Sequence, residues 1–218
     1  AAAASESPVL VCGEVGSGRE TVARYVHSAS RRADQAFVHL ACASLSGAAG
    51  VAVLLGSEAG PGRLALAERG SVFLEDVDAL PGALQAAIAA WMPDHPGVRW
   101  IATAAADPAG LTSPLREHLD VIRITTAPLR VRREDIALLA SRFQRDLARE
   151  YGRSEKPFSS EALAALSRHD WPGNIRALRN AVERALLLAP ADEIQISDLP
   201  QDLGGATHAA EDLYGSFE

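Results

Sequence analysis

PVLVCGEVGSGRETVARYVH, residues 8–27, is the stretch on which the reading of the whole chain turns. A short apolar run, Val9-Leu10-Val11-Cys12, breaks into glycines and then becomes a helix-forming pattern. Strand, glycine-rich turn and helix in that order make a phosphate cradle. Gly13, Gly16 and Gly18 allow backbone angles closed to residues with a Cβ, so successive N–H groups can converge on an anion at the N-terminus of the following helix. The frame Gly13-Glu14-Val15-Gly16-Ser17-Gly18-Arg19-Glu20-Thr21 is close to the P-loop pattern G-x-x-x-x-G-K-[ST], with arginine in the lysine place. The competing reading is a glycine turn with no ligand. The flanking strand and helix patterns, which the motif requires, favour the cradle.

Outward from this stretch, apolar spacing predicts a helix over 20–30 and strands over 37–40, 70–77, 98–105 and 121–124, with another helix over 84–92. The strand at 70–77 ends in two carboxylates, Glu75 and Asp76. Strands alternating with helices predict parallel pairing and an α/β sandwich. The stretch 41–62 contains Gly47, Gly50, Gly56, Gly60 and Gly62, and is expected to form no rigid projecting element. Near Pro128 the pattern turns wholly helical, with helices expected over 132–151, 161–169 and 175–189. Ser159 or Ser160 is the expected cap of the second, and Asn174, in the turn Trp171-Pro172-Gly173-Asn174, that of the third. The organisation expected is a linker at 1–7, an α/β subdomain over 8–128, a small helical subdomain over 129–200 and a tail at 201–218, with a nucleotide lying where the two subdomains meet.

At 218 residues, 48% apolar and 22% charged, the chain can bury a sizeable core. Its net charge of -7 argues against a dominant nucleic-acid surface, which needs clustered Lys and Arg. Cys12 and Cys42 sit in apolar runs and read as buried reduced thiols. No apolar run approaches the length of a membrane span, so a cytoplasmic setting is expected.

Four stretches in order resemble the central AAA+ domain of bacterial enhancer-binding proteins, the ATPases that remodel sigma-54 RNA polymerase. GEVGSGRE resembles that family's GESGTGKE, GSVFLEDV its GTLFLDEI, APLRVRREDI its PPLRERREDI and WPGNIRALRN its WPGNVRELRN. The resemblance implies an AAA+ P-loop sandwich followed by an all-α lid, with residues 13–21 on the phosphates of ATP or ADP. It also implies Mg²⁺ at the strand-end acids, here in reversed order, so that Glu75 falls on the metal position and Asp76 on the catalytic one. Arg116 falls on an arginine used across a ring interface, and Arg176 on the lid arginine that reaches the nucleotide.

Several groups the resemblance calls for are changed. Arginine is too wide to occupy the point an ammonium takes between two phosphates. The asparagine that would sense the γ-phosphate falls on Ala105, the switch asparagine on Ala41, and the second interface arginine in a gap between Leu119 and Val121. Where the family carries the GAFTGA insertion that touches sigma-54, residues 56–63 read GSEAGPGR.

The resulting expectation is a degenerate regulator module that binds adenine nucleotide with weak or no hydrolysis and acts by assembly. Its expected partners are copies of itself or related AAA+ subunits, with RNA polymerase a further one; DNA contact would come only through a helix-turn-helix outside these residues. The alternatives are an interaction module with a vestigial site, or a regulator responsive to cyclic di-GMP through Arg130, Arg132 and Arg133. A helicase-loader type of ATPase is disfavoured by WPGNIRALRN.

Overall fold

All five residues of β1 (Val9–Gly13) are buried, because alternate side chains point to opposite faces of a sheet covered on both sides. That double burial is why the strand reads as a continuous apolar run. The computed structural model describes residues 1–200 and 203. Apart from Leu203, the tail expected at 201–218 lies outside the described residues. The chain divides into two compact units between Pro128 and Leu129.

In the first unit β1 leads to α1 (Arg19–Ser28), β2 (Phe37–Ala41), α2 (Gly47–Leu55), β3 (Gly56–Ser57), β4 (Gly60–Pro61), β5 (Ser71–Glu75), α3 (Gly82–Trp91), β6 (Arg99–Ala104), α4 (Ser113–Leu119) and β7 (Ile122–Thr126). Five strands lie parallel in the order β2-β5-β6-β1-β7, the α/β sheet that the alternation of patterns predicts. Val9, Val11, Phe73 and Ile101 pack with Ala23 and Val26 of α1 on one face. On the other, Leu10, Cys12, Leu40 and Leu74 pack with Leu54, Leu84, Ile88 and Leu115 from α2, α3 and α4.

Two features depart from the sequence expectation. The stretch expected to form no rigid projecting element holds α2, GAAGVAVLL, of which only Gly50 and Leu54 are buried. It is followed by the two-rung antiparallel hairpin β3–β4, with Glu58 and Ala59 at its tip. Gly56 turns the corner between helix and hairpin at φ 97, where a Cβ would stand 2.6 Å from the Gly60 carbonyl oxygen. The N-terminal residues are also not an unattached linker. Ala2–Ala4 form a 3-10 turn, and the Ala2 carbonyl accepts from the buried Arg99 guanidinium at 2.7 Å.

His27, near the end of α1, is 7% exposed, with Nδ1 3.0 Å from Ser71 Oγ and its ring 4.7 Å from that of Phe37. Burial, assisted by the nearby Arg99, pushes its pKa below the ordinary 6.5. As pH falls through 6.5 the unfolded chain takes up a proton that the folded one refuses, so the stability present above 6.5 is lost towards the lower folded value. Urea midpoints should therefore fall as pH is lowered from about 7.5 to about 5, and His27→Gln should flatten that slope. An unchanged slope in the variant would assign the loss to other groups.

The second unit packs α5 (Glu134–Glu150), α6 (Ser160–Arg168) and α7 (Asn174–Leu188) around Ile136, Leu147, Leu166, Trp171, Leu178 and Val182. Ser159 caps α6, its hydroxyl accepting from the Ala162 N–H at 3.2 Å. Asn174 does not cap α7: the N-cap is Gly173, and the fully buried Asn174 accepts instead from the Leu129 N–H through Oδ1 at 2.8 Å. The turn thus pins the start of the unit to the start of its last helix. Trp171 holds a left-handed backbone, φ 51, and its indole N–H donates to the Leu166 carbonyl at 2.8 Å. No helix among the described residues is long and apolar enough to cross a membrane.

Candidate functional site

The cradle forms where β1 ends against β7. A Cβ on Gly13 would stand 2.0 Å from Thr126 Oγ1, so only glycine lets the two strands close there. The Thr126 hydroxyl donates to the Cys12 carbonyl at 3.2 Å and shares a 2.7 Å hydrogen bond with the Ser17 hydroxyl, fixing the turn from its far side. Gly16 and Gly18 take left-handed angles, φ 76 and φ 100. Gly18 is the N-cap of α1 and contributes no side-chain acceptor, so the first-turn N–H groups of Arg19, Glu20 and Thr21 keep the free donors that make a helix N-terminus attract anions. The Glu14 carbonyl closes the turn by accepting from the Ser17 N–H at 3.2 Å. Val15 stands exposed at the loop's crest, and Glu20 faces outward to Arg24 at 2.8 Å.

Arg19 is the side chain that sets the site's character. It is buried, and its Nη2 lies 2.8 Å from Asp76 Oδ1. Asp76 holds a left-handed backbone, φ 52, just beyond β5, where its N–H donates to Thr103 Oγ1 at 2.9 Å. Glu75 turns to a different partner: its Oε2 is 2.8 Å from His39 Nε2, and the His39 ring stacks on Phe73 at 4.9 Å. The two acids that the sequence pairs are thus divided between a buried arginine and a histidine.

A nucleotide-bound Mg²⁺ takes one or two carboxylates from a protein and its other oxygens from phosphates and water. The donor set is a poor fit for one because both strand-end acids already carry a cationic or hydrogen-bonding partner.

Ala105 offers only its N–H, which donates to Asp78 Oδ2 at 3.2 Å. Ala41 sits opposite Glu75 in the β2–β5 register, and His39, two residues earlier on the same face, reaches Glu75 instead. Below these acids, burial beside Asp76 and Glu75 pushes the Cys42 thiol up to about 12. Cys12 is raised in the same direction, chiefly by burial.

Arg116, on α4, donates to the Pro108 and Leu111 carbonyls at 2.7 and 3.2 Å, within its own unit. Arg176 stands exposed on the first turn of α7 in the second unit. Of the three arginines considered for a dinucleotide, Arg133 is committed to Asp170 and the Arg168 carbonyl, and Arg132 lies 3.8 Å from Asp135. His39, Thr103 and Thr126 escape sequence reasoning because their partners lie far off in the chain, up to 114 residues away.

The family model for the Sigma-54 interaction domain matches residues 1–129. The chain belongs to that family. The model for the AAA+ ATPase lid domain matches residues 130–214, so both units of this sigma-54 interaction module have counterparts. The alginate biosynthesis transcriptional regulatory protein AlgB of Pseudomonas putida is 34% identical over 90% of the chain and 50% of its own length. NtrX of Brucella abortus, solved in complex with ADP, matches with a TM-score of 0.84 and 29% identity over 92% of the chain and 52% of NtrX. Its complex with ATP matches at 0.84 and 30%, covering 92% and 53%. The sigma-54 interaction module therefore spans about half the length of these relatives.

Proposed function

We propose that the chain is the AAA+ module of a bacterial transcriptional regulator that binds ATP or ADP in the Gly13–Thr21 cradle, hydrolyses it weakly or not at all, and controls transcription by assembly instead of by sigma-54 remodelling. The observation that carries this reading is the Arg19–Asp76 pair at 2.8 Å beneath a correctly formed glycine cradle. The glycine turn and the open first turn of α1 support phosphate binding, while the side chains that would organise cleavage are engaged by other groups, Arg19 with Asp76 and Glu75 with His39. The NtrX complexes support the choice of adenine nucleotide. The sequence GSEAGPGR at 56–63, which forms the β3–β4 hairpin, departs from GAFTGA, which supports a different output. Assembly would be with a second copy or a related AAA+ subunit in the cytoplasm, with RNA polymerase a downstream partner and DNA reached through a domain outside these residues. Within such an assembly Arg176 is the cation we assign to the nucleotide from the lid, and Arg116 the one assigned across the subunit interface.

Thermal unfolding with and without nucleotide tests the reading. At about 100 times its dissociation constant, a ligand adds about 2.7 kcal/mol of stability, which for a protein of this size raises Tm by several degrees. ATP or ADP should produce that rise. No shift at millimolar nucleotide would leave the interaction-module reading, in which the cradle is a relic. The cyclic di-GMP reading would require Arg133 to exchange Asp170 for a phosphate.

A further inference from the structure

We infer that this cradle engages a nucleoside triphosphate or diphosphate without a divalent cation, Arg19 exchanging the Asp76 carboxylate for a phosphate oxygen. The inference rests on the nucleotide-binding reading above and specifies how that site neutralises charge. A cation between the phosphates and the strand-end acids would have to share Asp76 with Arg19 and Glu75 with His39, both already engaged through one carboxylate oxygen. The Arg19 side chain is only 9% exposed, so losing its acceptor without replacement strands a buried charge.

Exchange avoids that cost. Arg19 is the first residue of α1, directly after the left-handed Gly18, at the helix end that attracts anions. A phosphate arriving there offers Arg19 two oxygens in the fork geometry that arginine prefers. The displaced carboxylate is the exposed member of the pair: the Asp76 side chain is 42% exposed and turns to water with little loss. The guanidinium and the α1 dipole then supply the positive charge that an ammonium and a metal would share. Asp76 remains nearby as a competing anion, so it sets the affinity without touching the ligand.

Calorimetric titration of the chain with ATP, in excess Mg²⁺ and in excess EDTA, tests this directly. The expected dissociation constants agree to within about threefold. Weakening by about tenfold or more in EDTA would overturn metal-free engagement while leaving nucleotide binding intact. Absence of binding in both buffers would overturn the nucleotide reading and this inference with it. Asp76→Asn gives a second, independent readout, because asparagine tolerates the left-handed backbone at this position. Removing the competing charge should tighten ATP about threefold in EDTA; unchanged or weaker binding by a folded variant would show that Arg19 does not exchange partners.

Discussion

Given saturating ATP and Mg²⁺, the purified chain is expected to turn over less than about one ATP per hundred seconds, some hundredfold below the low end of ordinary enzyme rates. Loss of one preorganised donor at a developing oxyanion already costs about 10²- to 10³-fold. Here an arginine stands in the lysine place, Glu75 is held by His39, and Ala41 and Ala105 provide no side-chain amide. Groups that act as a unit do not recover singly. Arg19→Lys alone should therefore stay within about tenfold of the parent rate. A coupled-enzyme assay at concentrations that permit assembly reads both numbers. A parent rate of about 1 s⁻¹ or more would mean that assembly rebuilds the site from residues other than these.

Trp171→Ala is expected to be the most damaging single substitution in the second unit. The indole is 2% exposed, packs in the core with Leu166 and Leu178, and donates its N–H to the Leu166 carbonyl. Large-to-small changes at such sites cost about 3–5 kcal/mol, and alanine, which also carries a Cβ, keeps the strain of the left-handed backbone at φ 51. Because Trp171 belongs to the apolar core of the second unit alone, the loss should appear as early loss of amide protection in α5, α6 and α7 with the sheet still protected. A penalty below about 1 kcal/mol, or uniform deprotection of both units, would contradict this account.

The cradle and the parallel sheet are legible in the sequence because each rests on a local pattern, an apolar run meeting glycines or strands alternating with helices. α2 is not, since GAAGVAVLL has no polar face to set against an apolar one and so shows no period. α4, at seven residues, is too short to show one. The site was readable as far as its backbone. Its side-chain pairings were not, because Arg19 and Asp76 lie 57 positions apart by their numbering and are brought together only by parallel strand order. Asn174 shows the same limit: its residue type suits a helix cap, but a buried N–H at Leu129 has the stronger claim on its carbonyl.

The two cysteines flank the glycine turn and the acids, and both are sealed and protonated in the folded chain. Maleimide added at neutral pH will react only when the sheet breathes, since thiolate is the reactive form. The rate at which each sulfhydryl is trapped is therefore a built-in clock for opening at the end of β1 and beyond β2, and fluorophores placed on engineered surface thiols will meet no competition from the native pair.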